Sequence, residues 1–312
     1  MVARTALLSA ALGSLMVATV TPQSALPRTR DHHPDLQGMW RNNSITPLER
    51  PAKFADKAFF SPEEAREFEK TVDAPESVAE RIGAIEAVIG GEVNWADRGR
   101  LLPSRRTSLV VDPPNGRIPY TADAQQAAAA RLDRRQHPDE HPPDGPEDMP
   151  LNDRCLIWGA GPPMVPVPYN HNVQIVQTPA YVVIVNEMIH DVRVVPLDGR
   201  PHLPERIQQW KGDPRGHWEG EVLVVDTTNV APKNRVAGSS ERVHIIERVS
   251  LADAATLRYE FTVDDPATFT KPWSAALTMT RTDDQMFEYA CHEGNHDTEI
   301  VLRGARAAEK ER

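Results

Sequence analysis

The chain has 312 residues, 28 of them proline, with 26% charged residues and a net charge of −10. That length fits one large domain or two small ones, and so many prolines exclude a plain helical bundle. The acidity comes without a basic stripe, which argues against nucleic acid as a partner and serves solubility.

Arg4 supplies a positive start, and Ala6 to Thr21 form an apolar run of about 16 residues before the small-residue site Gln23-Ser24-Ala25. Residues 1–25 therefore read as a signal peptide, and the mature chain as secreted or periplasmic. The alternative, an uncleaved anchor, needs a run of about 20 residues. No later stretch is apolar enough to span, so no membrane association is expected after cleavage. Export places Cys155 and Cys291 in an oxidising space, where two distant cysteines predict one disulfide. Two buried free thiols are the other option.

Residues 26–150 read as an extended and helical segment. Asp35 to Trp40 resembles a first strand entering the core. Ser61, Pro62 and Glu64 form the start of a helix, with cap, N1 proline and capping box. A second helix follows Asp73, with Val78, Ile82, Ile85 and Ile89 on one face and Gly90-Gly91 at its end. Thr107 to Val111 is a short strand. Thr121 caps a third, alanine-rich helix running to about Arg135, and Gln136 to Pro150 is a proline-rich loop whose His137 and His141 read as solvated.

From residue 151 the character changes. Strand-like runs follow at 173–177, 181–188, 192–196, 222–226, 243–250, 256–263, 273–281 and 286–290, with turns such as Leu197-Asp198-Gly199 between them. The expected fold is mainly β, an antiparallel meander closing into a lipocalin-like barrel over 151–308, with the short N-terminal helices packed on it. Leu257, Tyr259, Phe261 and Val263 alternate with Arg258, Glu260 and Thr262. The apolar set either lines the interior or faces the N-terminal segment, leaving Arg258, Glu260 and Glu288 to line a polar lumen.

The stretch 181–229 concentrates chemically capable side chains. His190 and His202 are the candidate acid–base groups, with Glu187, Asp191 or Glu288 to orient or share the proton. Arg193 and Arg200 are candidates to hold an anion. Tyr169, Asn170, Trp210 and Trp273 sit by turns and suit stacking on a ring-shaped ligand. His292-Glu293-Gly294-Asn295-His296 matches H-E-x-x-H, a zinc motif that works only on a helix. Its glycine and asparagine are poor helix formers, so no metal is assigned. Nucleotide-binding glycine loops and the G-x-S-x-G nucleophile motif are absent, and no cofactor is expected.

The phrases IVQTPAYVVIVNEMIHDVRVVPLDGRPH, GDPRGHWEGEVLVVDTTN, YEFTVDDPATFTKPW and YACHEGN resemble a widespread group of secreted bacterial proteins. The likeness runs over roughly residues 35–308. It implies export and a single-unit architecture, and it supplies no chemistry. The resemblance also implies that an aromatic often stands where this chain has His296, which weighs against zinc.

The combined expectation is a secreted enzyme acting on a small polar or cyclic molecule through histidine and carboxylate groups, as a lyase, isomerase or hydrolase. The alternatives are a non-catalytic barrel that binds a small ligand, and a zinc hydrolase built on His292, Glu293 and His296. No signal for oligomeric state is present.

Overall fold

The computed structural model describes residues 26–54, 56–73, 99–137, 140–159, 161–167, 169–234 and 236–310. The expected signal peptide and the helix after Asp73 lie outside the described residues. The strands are β1 Gly38–Arg41, β2 Val110–Asp112, β3 Asn172–Gln177, β4 Tyr181–Asn186, β5 Val192–Pro196, β6 Asp213–Glu219, β7 Val222–Thr228, β8 His244–Asp253, β9 Thr256–Asp264 and β10 Trp273–Thr282. Three α-helices appear among the described residues: α1 Pro62–Asp73, α2 Ala122–Gln136 and α3 Asp297–Lys310. None is long and apolar enough to cross a membrane.

All ten strands join one antiparallel sheet in the order β5-β4-β3-β1-β10-β9-β8-β7-β6, with β2 paired to β10 off this path. The stretch before residue 150 thus supplies two strands to the sheet. Period-two alternation sets the faces. Leu257, Tyr259, Phe261 and Val263 of β9 are buried, as are Trp273, Ala275, Leu277 and Met279 of β10. Arg258 and Glu260 point to solvent. The apolar set therefore faces the core, where Trp40, Tyr259, Phe261 and Trp273 are almost completely enclosed.

The sheet does not close into a barrel, contrary to expectation. With β2 set aside, the path holds nine strands, every neighbour antiparallel. An odd number leaves the two edges, β5 and β6, running in the same direction, so an antiparallel closing pair is impossible. Pro196 on β5 and Pro214 on β6 further lack the N–H groups that a closing ladder needs. The edges meet through side chains instead. A Cβ added to Gly216 would lie 2.6 Å from Leu197 Cδ2 and 2.8 Å from Val195 Cγ1. Gly216→Ala should therefore overpack this seam and cost about 1–3 kcal/mol. Urea unfolding would measure it, and a stability equal to the parent's would show that the seam yields freely.

The N-terminal helices differ from expectation too. The capping box of α1 forms: Ser61 N–H donates to Glu64 Oε2 at 2.8 Å, and Glu64 N–H donates to Ser61 Oγ at 3.2 Å. Yet α1 packs on a small separate cluster of Ile45, Phe60, Ala65 and Leu101, with Phe54 and Phe68, and not on the main core. Its aromatic contacts are internal to that cluster. Residues 286–290 form no strand. Phe287 N–H donates to Glu187 Oε1 at 2.9 Å, while the ring stays exposed. A disulfide joins Cys155 to Cys291, as expected.

Candidate acid–base site

Parallel edges carry a further consequence. The chain cannot turn from β5 into β6 by a hairpin. Parallel strands need a crossover of a dozen or more residues. Residues 197–212 make it, returning over the outer face of β6 and β7. Asn229 fastens the crossover: its Nδ2 lies 3.2, 3.0 and 2.9 Å from the carbonyl oxygens of Leu203, Pro204 and Ile207. Gln209 N–H donates to the Asn229 carbonyl at 3.0 Å.

This fastening sets His202 against the outward side chains of β6 and β7. His202 Nδ1 is 3.1 Å from Asp213 Oδ2, and its Nε2 is 3.2 Å from Asp226 Oδ1. Asp213 is buried and further held by Arg215 Nη1 at 2.7 Å and by the Leu203 N–H at 2.8 Å. Arg215 also donates to the carbonyls of Arg200 and Pro201, so its guanidinium is a clamp on the crossover. On β8, His244 Nε2 reaches the same Asp226 Oδ1 at 2.8 Å. The result is an alternating row: His244, Asp226, His202, Asp213, Arg215.

The two histidines differ in one decisive respect. Both ring nitrogens of His202 face carboxylates, and only the doubly protonated ring donates to both. His244 spends Nε2 on Asp226, while its Nδ1 has no hydrogen bond among the described residues. The side chain of His244 is 38% exposed. Its hydrogen bond to Asp226 pushes its pKa up against a smaller opposing effect of burial, with the Asp264 carboxylate adding to the rise. The same hydrogen bond holds Asp226 below the usual carboxylate range, with His202 assisting. By linkage, the raised His244 stabilises the fold below the unfolded pKa, and that share is lost as pH rises through the folded value. The lowered Asp226 acts oppositely, losing its share as pH falls through its folded value. Solvent screening keeps either share small at so exposed a pair.

The other expected residues are dispersed. Glu187 is buried and wholly given to backbone: its oxygens accept from Asn172 N–H at 3.2 Å and Phe287 N–H at 2.9 Å. It pins residues 286–290 to β3 and is not free to move a proton. His190 follows Ile189 in the β4–β5 turn, both with positive φ (43° and 55°), and its Nδ1 sits 3.1 Å from the Tyr289 carbonyl oxygen. Among the described residues, no carboxylate bonds its ring. Asp191 is buried beside Lys211, and burial pushes its carboxyl up against the pull of that ammonium. Glu288 is exposed and makes no hydrogen bond among the described residues.

Arg193 is spent on an internal ion pair. It is buried with Glu247, its Nη1 and Nη2 at 2.7 and 2.8 Å from the two carboxylate oxygens, both side chains only 1% exposed. Tyr259 donates to Glu247 at 2.5 Å and accepts from Met164 N–H at 2.8 Å. Arg200 closes an exposed local pair with Asp198. Trp273 is a core residue, 1% exposed. Tyr169 lies at 6.2 Å from Tyr289 and 5.3 Å from Trp158, ring centre to ring centre, and burial raises its phenol. Asn170 beside it has a positive φ of 45°. Trp210 is partly exposed on the crossover, where its carbonyl accepts from Asn234.

Residues 292–296 form a turn ahead of α3, so His292 and His296 share no helical face. Asn295 Nδ2 donates to the Asp153 carbonyl at 3.1 Å, tying that turn beside the disulfide. Among the described residues, no group of three or more His, Cys, Asp or Glu is placed to hold a metal ion.

Sequence reasoning missed His244 and left Asp226 and Asp213 unassigned. The available signal was register: Asp226 and His244 fall on the outward phase of their strands, opposite the buried Val225 and Ile245. No family model, no curated protein and no solved structure matches the chain.

Proposed function

We propose that this is an exported enzyme that moves a proton on a small polar molecule, with His244 as the catalytic acid–base group. The observation that carries the reading is the half-exposed His244 ring, held through Nε2 by Asp226 with Nδ1 left outward. In the neutral ring Nε2 carries the proton given to Asp226, so Nδ1 holds the lone pair. That nitrogen takes a proton from an acidic C–H or O–H, and Asp226 steadies the imidazolium formed. The proton then returns to another substrate carbon, or to a departing oxygen, which covers isomerisation and elimination. His202, Asp213 and Arg215 are positioning residues that fix Asp226 and the crossover. Export is supported by the leader-like first 25 residues and agrees with the disulfide.

Deuterium exchange in D2O tests this without knowledge of the product. Proton NMR would follow a panel of 2-hydroxy acids, 2-oxo acids, uronates and ketoses. The wild-type protein should catalyse exchange or conversion of at least one, and His244→Gln should lower that rate by about 100-fold or more. The rate should rise with pH through the raised pKa of His244. Asp226→Asn should move that midpoint down toward the ordinary histidine value of about 6.5. An unaltered rate in His244→Gln, or no exchange across the panel, would sink the reading.

A further inference from the structure

A second group of unspent polar side chains lies away from the His244 row. Three segments meet where the crossover leaves β5. The first is the turn Thr29–His33, closed by Thr29 N–H to the His33 carbonyl at 2.9 Å. Arg28 anchors it to Glu221 in the β6–β7 turn, with Nη2 2.9 Å from Oε1. The second is the β3–β4 turn after Gln177. The third is the far end of β6, His217 and Trp218. Between them is a cleft of about 210 Å³ lined by Asp31, His33, Gln177, Leu197, His217 and Trp218.

Two features point to a ligand. His33 stacks on Trp218 with ring centres 4.5 Å apart and planes 8° from parallel. That fixes a flat wall, with Trp218 backed by the core. Around it several hydrogen-bonding groups have no partner among the described residues: the Asp31 carboxylate, the His33 ring nitrogens, the Trp218 indole N–H and His217 Nδ1. Gln177 gives its Oε1 to the Leu36 N–H at 3.2 Å and keeps its amide N–H groups unspent. Donors and acceptors are thus mixed, with Leu197 and Pro179 as apolar lining. The space is below the roughly 300–1,000 Å³ of drug-sized pockets.

We propose that this cleft binds one neutral, hydroxylated six-membered ring, a monosaccharide or cyclitol. Flat aromatic surface meets the C–H face of such a ring, while mixed donors and acceptors match its hydroxyls. A single carboxylate beside two imidazoles provides no cationic clamp for an acidic ligand, which selects a neutral one. The site is separate from the His244 row. His217 pairs with Val224, Val224 with Arg248, and His244 lies four residues further along β8. Strand spacing and rise put His217 and His244 roughly 15 Å apart, too far for one ring to touch both.

Methyl β-D-glucopyranoside, methyl α-D-mannopyranoside and myo-inositol are the probes, titrated on the full chain by saturation-transfer NMR with tryptophan fluorescence as a second readout. At least one should bind saturably. His33→Ala should weaken it by 10-fold or more, Asp31→Asn should weaken it measurably, and both sites are on the surface turn, so circular dichroism should show an intact fold. His244→Gln should leave binding unchanged, which separates this site from the acid–base row. Failure of all three probes to saturate, or unchanged binding in both His33→Ala and Asp31→Asn, would overturn the proposal.

Discussion

Arg193→Met should destabilise the protein by about 3–5 kcal/mol, because it strands the Glu247 carboxylate in the core. Arg193 projects inward from β5 and Glu247 from β8, so the pair bridges the enclosed face of the sheet. Both side chains are 1% exposed, and water cannot replace the lost partner. Tyr259 still donates to Glu247, but one hydroxyl does not offset a buried charge. Glu247→Gln should be comparably costly, since it leaves the guanidinium unpaired. The double variant Arg193→Met, Glu247→Leu should recover much of the loss, as buried ion pairs replaced by apolar groups of similar size often do. Urea unfolding of the three variants forms a mutant cycle. A loss below about 1 kcal/mol in Arg193→Met would mean that the pair is wet in solution.

Removing the disulfide should rank next. Cys155 and Cys291 are 136 residues apart, so the bond closes a loop spanning most of the sheet. Loops of that length predict about 2–5 kcal/mol lost on replacing both cysteines with serine, chiefly through a freer unfolded chain. The expected readout is a lower urea midpoint, with hydrogen exchange rising most around residues 151–155 and 286–296. A midpoint equal to the parent's would place the bond outside the cooperative unit.

Strands with strong alternation were legible from the residues alone. The runs at 192–196, 256–263 and 273–281 match β5, β9 and β10 within a residue. β6 was missed because GDPRGHWEG carries proline, glycine and four charged or polar residues and reads as turn. Its place at an open edge, with one face under the crossover, explains how such a sequence forms a strand. Barrel closure was misjudged because closure depends on how many strands lie on the path, and insertion of β1 between β3 and β10 makes that number odd. No local pattern reveals that insertion.

The candidate site was half legible for the same reason. His202 stood out beside the Asp198-Gly199 turn, but its partners Asp213 and Asp226 come from two strands chosen by register. Glu187 and Arg193 drew attention by their charge, and burial turned both into structural ties. Charge in a strand-rich stretch marks positions of consequence; only the strand's phase says whether they meet solvent or core.

β1 joins two groups of strands that share no other ladder: β3, β4 and β5 on one side, β6 to β10 on the other. This keystone is four residues long and stands early in the chain, whereas β10, its neighbour, stands near the other end. The two groups can each zip by hairpins, but the single sheet is completed only when Trp40 and its flanks slot between them. Completion of the sheet therefore depends on a long-range pairing, between β1 early in the chain and β10 late in it. Such long-range dependence raises contact order and slows folding, and without the keystone, β3 and the part of β10 beyond its β2 pairing would present open edges to any neighbouring chain.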